Sequence, residues 1–342
     1  FIMGNSGSGK SYCLYDTVVR EAIENPDKNY LVIVPEQFTM QTQKDLCLAH
    51  PKGGIMNIDV LSFGRLAYRV FEEVGQDARV VLDDEGKNLV LRKIAGECEK
   101  DLKVFKGNLK KQGYISEVKS VLSEFAQYGV DFERLDDFMK EVPPESYLHY
   151  KLDDIRTIYE KFEEYLSEKY ITKEEMLDVL SDAVPYSDIL KGSVVAMDGF
   201  TGFTPVQNRL IGELFSVCEK VMITVTMDGR ENPYVYEHPY QIFALGKQMV
   251  TSLMKIAGEK KTEIEEPICL FERPVYRFRD CSEMAFLETE LFRYSGAKYN
   301  GSCESVSLHE VRSPGKEAKY VAESIRRLVR TKGYRYRDIA VI

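Results

Sequence analysis

The sequence predicts an open α/β fold: a parallel sheet flanked by helices, interrupted by an all-helical insertion and followed by the start of a second α/β domain. Three observations predict it. Short apolar runs alternate with helical periodicity over residues 1–82 and again over 187–266. Between them, over 83–186, apolar residues recur only at helical spacing. A last helix and a terminal apolar run fill 267–342. At 342 residues the chain exceeds one comfortable core, so several domains are expected.

Phe1-Ile2-Met3 reads as a strand that runs straight into Gly4-Asn5-Ser6-Gly7-Ser8-Gly9-Lys10-Ser11. That is the phosphate-binding loop pattern G-x-x-x-x-G-K-[ST]. Its glycines let the backbone curl so that several N–H groups point at one anion. A helix starting near Gly9 adds its positive end. Lys10 then reaches the β- and γ-phosphates of ATP, and the Ser11 hydroxyl ligates Mg²⁺. Tyr12, Cys13, Leu14, Tyr15, Val18, Val19, Ala22 and Ile23 repeat apolar side chains at the spacing of the required helix. Cys13 reads as a packing residue, although a helix N-terminus favours a thiolate.

Asn29–Pro35 is a buried parallel strand closed by proline, which completes β–loop–α–β. A helix follows over about 41–49, then a strand at Ile58–Leu61. Ser62 caps a helix with Leu66, Ala67, Val70 and Phe71 on one face. In the insertion, helices are expected near 84–100, 114–128, 131–140 and 172–183. The longest carries Leu148, Leu152, Ile155, Tyr159, Phe162 and Leu166. Strands resume at Val194–Met197 and Val221–Thr226, with helices from Thr204-Pro205, over 240–256, over 279–294 and over 317–330. Ser305–Val311 reads as extended. Asp338–Ile342 reads as a strand that leads onward, so the chain is expected to be part of a longer one.

A phosphate loop needs a carboxylate at the end of a neighbouring strand to steady the magnesium hydration shell. Asp198 follows four apolar residues and is the candidate; the alternative is an ordinary turn aspartate, and Asp228 is a weaker rival. Hydrolytic motors place glutamate next, whereas position 199 is glycine, so slow or absent turnover is expected. Glu36 or Glu213 could substitute, but no spacing favours either.

Seven scattered cysteines without a C-x-x-C pair argue against a disulfide framework or zinc site here and fit a reducing cytoplasm. No apolar run reaches membrane-spanning length. A net charge of −9 argues against a small dedicated DNA-binding domain, yet leaves room for a local track on a larger body. Single-strand contacts need aromatics to stack on and cations for phosphates. The candidates at expected strand ends are Gln37, Phe38, Thr39, Phe63, Arg65, Phe200, Thr201 and Phe203. The Lys103–Lys111 cluster and the basic stretch from Arg326 to Arg337 read as solvated surface.

Four segments together resemble the AddB family, one of the two kinds of chain in bacterial ATP-dependent AddAB helicase–nucleases. They are Gly4–Ser11 with Cys13-Leu14, Val34–Thr39, Val60–Val70, and Asp198-Gly199-Phe200-Thr201-Gly202-Phe203-Thr204-Pro205. The last is similar to the family's altered metal motif, in which D-G-F-T stands for the helicase D-E. A looser likeness runs from Glu317–Ala322 to Asp338–Val341. The resemblance implies a superfamily 1 helicase-like core with a helical 1B insertion. It implies an AddA-type partner carrying the active motor, single-stranded DNA contact along the 3′-ended strand, Chi-type sequence recognition and processing of double-strand breaks for recombinational repair. The iron–sulfur nuclease domain of such proteins is expected outside this stretch. Two other readings remain at this level: an active superfamily 1 ATPase, and a P-loop phosphotransferase with a helical substrate domain.

Overall fold

The computed structural model describes residues 1–75, 79–109, 111–167 and 169–342, with only the backbone of residue 112. The described chain divides into two compact units, Phe1–Arg277 and Phe278–Ile342.

The first unit is built on six strands: β1 (Ile2–Gly4), β2 (Tyr30–Ile33), β3 (Ile58–Leu61), β6 (Val194–Met197), β7 (Lys220–Thr226) and β8 (Ile268–Leu270). Two more, β4 (Val80–Leu82) and β5 (Tyr170–Thr172), pair separately. The sheet runs β3-β2-β6-β7-β1-β8 and every pairing in it is parallel. Such strands bury both faces and read as unbroken apolar runs. Period two sorts their side chains: Ile2, Tyr30, Val32, Val194 and Ala196 face one layer, and Met3, Leu31, Ile33, Val195 and Met197 the other. The first layer is covered by α1 (Lys10–Glu24) and α2 (Thr39–Ala49). The second is covered by α3 (Phe63–Val74), and further along the chain by the helices over 175–183, 205–217 and 244–260.

The insertion packs α4 (Asp84–Glu97), α5 (Gln112–Tyr128), α6 (Phe132–Glu141) and α7 (Tyr147–Leu166) around their own core of Leu91, Ile94, Ile115, Leu135, Ile158 and Phe162. Ile158, not the exposed Leu148, belongs to its buried face. The expected all-helical character is corrected by β5, which pairs in parallel with β4, Val80 opposite Tyr170 and Leu82 opposite Thr172. A three-residue strand is too short for period two to register. After β5 come α8 (Glu175–Ala183), α9 (Pro205–Val217) and α10 (Ala244–Lys260). Thr204 and Gln207 close a reciprocal capping box at α9. The helix expected from 240 starts at Ala244, because Phe243 takes a left-handed turn with φ 64°. β8 lies beyond residue 266 and pairs with β1.

In the second unit, α11 (Ser282–Glu290) is shorter than the expected 279–294 and α12 (Pro314–Thr331) is longer than expected. Ser313 caps α12, and Val321, Ile325, Leu328 and Val329 lie half-buried along it. Residues 305–311 form no strand ladder. Asp338–Ile342 is likewise no strand: it starts in a 3-10 turn at Tyr336–Asp338, and no described strand pairs with it. Without a neighbour to complete its ladder, an apolar run gains nothing from extending.

Candidate nucleotide site

The loop after β1 is shaped by glycine. A Cβ on Gly4 would strike the Ser8 hydroxyl and sit 2.7 Å from the backbone oxygen of Leu270, so no side chain fits where the loop crosses β8. Gly9, at φ 97°, turns the chain into α1, and no side chain caps that helix. Its first amides are therefore left to face whatever binds in the loop. Ser8 N–H donates to Asn5 O at 3.1 Å, and Lys10 Nζ folds back onto the same carbonyl at 2.8 Å.

Asp198 ends β6, two strands from β1, with β7 between them. Both elements open into one cavity of about 510 Å³, within the range of small-ligand sites. Ser6, Gly7, Gly9, Lys10 and Ser11 line it on the loop side, and Asp198, Gly199, Phe200 and Thr201 face them. Thr224 and Thr226 of β7 form its floor. Asp198 is 6% exposed; its Oδ1 accepts from Thr224 Oγ1 at 2.6 Å and its Oδ2 from Tyr15 OH at 2.8 Å. Burial lowers the Lys10 ammonium from 10.5 to about 8, partly opposed by the Asp198 charge and reinforced by the Arg277 charge.

Arg277 and Tyr276 complete the lining, and nothing in the sequence pointed to them. Arg277 N–H donates to Gly7 O at 3.1 Å, and a Cβ on Gly7 would lie 2.7 Å from the Arg277 Cβ. The arginine is thus built against the glycine-rich loop and brings a second cation to it. Asp198 is the one carboxylate among the described lining residues. The rival Asp228 lies elsewhere, held by Arg230 at 2.7 Å and Arg273 at 2.8 Å. Burial opposes its ionisation, but these guanidiniums prevail and keep it far below the usual carboxylate range. Glu36 is exposed and pairs with Arg65 at 3.5 Å, while Glu213 pairs with Lys260 at 2.8 Å; neither lines the cavity.

These residues fit a nucleotide phosphate chain with a divalent cation. Gly4 and Gly7 let the loop close tightly on Leu270 and Arg277, two cations face the cavity, and hydroxyls stand ready on Ser11 and Thr226. Among the described residues no group of three or more His, Cys, Asp or Glu is placed to hold a metal alone. A cation here would rest on phosphate oxygens, Ser11 and water steadied by Asp198, which suits Mg²⁺.

The expected DNA contacts divide. Gln37, Phe38, Arg65 and Thr201 are exposed. Phe63 is 8% exposed, and its ring packs against Phe200 at 5.4 Å and Phe203 at 6.4 Å; Phe200 and Phe203 also meet at 5.1 Å and are half-buried. Phe63 therefore has no free face for a base. Thr39 is buried, its hydroxyl donating to Glu36 O at 3.0 Å. Lys103 pairs with Asp153 at 2.9 Å, while Lys110 of the basic cluster lies outside the described residues. All seven cysteines are free thiols, and burial raises that of Cys13.

Gly199 has φ 79°, and a Cβ there would meet Pro35 and Phe38 at ordinary contact distances. The obstacle to a side chain is the left-handed backbone, not space. Gly199→Glu is thus expected to cost about 1–2 kcal/mol, read by thermal melting, with phosphate release compared with that of the wild type. A folded variant with raised turnover would show that the missing acid alone limits the site.

Fold and site together define a parallel α/β protein with a cavity between its glycine-rich loop and the end of β6. The chain belongs to the AddB N-terminal family, whose model, described as "ADDB, N-terminal", matches residues 1–288. It is 41% identical over its full length to the B subunit of the ATP-dependent helicase/deoxyribonuclease from Lachnoclostridium phytofermentans, covering 30% of that protein. The proteins of the same name from Thermoanaerobacter pseudethanolicus and Clostridium tetani are 36% and 33% identical, with 29% and 30% of their lengths covered. The chain thus spans about 30% of the length of these curated relatives. No helix among the described residues is long and apolar enough to cross a membrane.

Proposed function

We propose that this chain is the helicase-like, nucleotide-binding part of an AddB protein, within a cytoplasmic helicase–nuclease that processes double-strand DNA breaks for recombinational repair. Residues 1–82 and 187–266, with β8, form a P-loop core of the superfamily 1 type. Residues 83–186 are its 1B-like insertion, and the stretch toward Ile342 starts a second motor-like domain. The observation that carries the reading is the single cavity where Lys10, Ser11, Arg277 and Asp198 meet.

Bound ATP and Mg²⁺ would supply the phosphate charge that this cavity neutralises. The loop amides, Lys10 and Arg277 hold that charge, Ser11 offers a hydroxyl to the cation, and Asp198 steadies its water. With glycine at 199 and no second acid in the described lining, water is not activated, and the site binds nucleotide with little hydrolysis. No observation favours the active ATPase or the phosphotransferase.

The partner is an AddA-type chain that carries the working motor. Gln37, Phe38, Arg65 and Thr201 meet a single strand, 3′-ended and scanned for a Chi-type sequence. Arg65 is held by an exposed pair with Glu36, which it can exchange for a phosphate at little cost. In the assembled complex, affinity for a single-stranded oligonucleotide should fall steeply with salt, and Arg65→Ala should reduce the slope by about 0.7. Absence of binding at low salt would refute the DNA part of this reading.

A further inference from the structure

The acid of the nucleotide cavity is tied to more than the cavity. Tyr15 OH, which donates to Asp198 Oδ2 at 2.8 Å, also lies 3.3 Å from Thr42 Oγ1 on α2. Thr42, Thr224 and Asp198 are all nearly fully buried. One unbroken line of hydroxyls therefore runs from α2 through α1 to the carboxylate at the end of β6 and on to β7. A phenol holds its proton at neutral pH, so Tyr15 is a donor to whichever of its two neighbours it faces. Asp45 of α2 acts on it more weakly. α2 itself begins at Thr39, directly after the exposed Gln37 and Phe38.

We infer that Tyr15 is a positioning residue that aims Asp198 into the cavity and links that carboxylate to α2. The inference rests on the nucleotide reading above. Tyr15 has one proton and two acceptors in reach. When Asp198 Oδ2 is engaged from the cavity side, the phenol turns to Thr42 Oγ1. The first turn of α2 then responds to occupancy of a pocket it does not line.

The test uses the full-length protein and a fluorescent ADP analogue, titrated with Mg²⁺ and with EDTA, together with hydrogen–deuterium exchange over residues 36–49. In the wild type, Mg²⁺ with ADP should change exchange in this segment by about fivefold or more. Tyr15→Phe should lose this response and also narrow the difference between affinities in Mg²⁺ and in EDTA. Thr42→Val, which touches nothing in the cavity, should keep both affinities and lose only the exchange response. Nucleotide binding with unchanged exchange in the wild type, or a response retained in both variants, overturns the link while leaving the nucleotide site standing. Failure of the wild type to bind nucleotide overturns both.

Discussion

Replacing Lys10 by alanine is expected to weaken nucleotide binding by at least about tenfold, since a hydrogen bond to a charged group carries roughly 1.5–3 kcal/mol. Lys10 is half-buried in the loop, and with Asn5 O as its present partner it needs only to swing outward to meet a phosphate. Its depressed value near 8 makes the effect pH-dependent. The free protein loses this charge as pH rises through about 8, so affinity should hold below that point and decline above it, with a proton taken up on binding. For stability the sign is the reverse of a salt-bridged lysine. Between the folded value of about 8 and the unfolded 10.5 the unfolded chain holds the extra proton, so the burial penalty shrinks as pH rises through that window. Calorimetry in two buffers of different ionisation heat would report the proton uptake. Lys10→Ala should abolish it, and undiminished affinity in that variant would refute the site.

The second large effect lies far from the cavity. Asp154 on α7 is 1% exposed, and its carboxylate accepts three backbone N–H groups, from Lys103 at 2.8 Å, Val104 at 2.7 Å and Phe105 at 2.8 Å. It folds the irregular segment after α4 so that Leu102, Phe105 and Leu109 close the core of the insertion. Asp154→Ala strands three donors in that core and is expected to cost about 3–5 kcal/mol. The variant Asp154→Asn keeps an oxygen for two of the three and should fall between. Denaturant melts of the full-length protein, with exchange measured separately over residues 84–166, would locate the loss. A change below about 1 kcal/mol would show that water replaces the carboxylate freely.

Legibility in the sequence differs by element. The strands β1, β2, β3, β6 and β7 were legible because a strand buried on both faces leaves an apolar run, and the helices because their stripes span several turns. β4, β5 and β8 were not: three residues carry no period, and unlike β1 none of them runs into a local loop pattern that marks its end. In the cavity, the loop and Asp198 were readable because the loop pattern is local and the acid ends an apolar strand. Tyr15 read only as part of a helical stripe, and Arg277 reaches Gly7 across most of the first unit's chain length. Asp154 is one polar position on an amphipathic helix, and no local pattern distinguishes it from a solvated one.

The parallel ladder of β4 and β5 constrains any attempt to excise the helical lobe. In an antiparallel hairpin the cut ends would be adjacent and a two-residue splice would suffice. Here Leu82 and Tyr170 sit at opposite ends of the ladder, so a replacement must run back along it, about a dozen residues or more. A shorter splice would drag β5 out of register and pull on α8, whose Met176, Leu180 and Ala183 are wedged beneath the main sheet. A minimal version of this protein therefore needs a bridging helix in place of the lobe, not a turn.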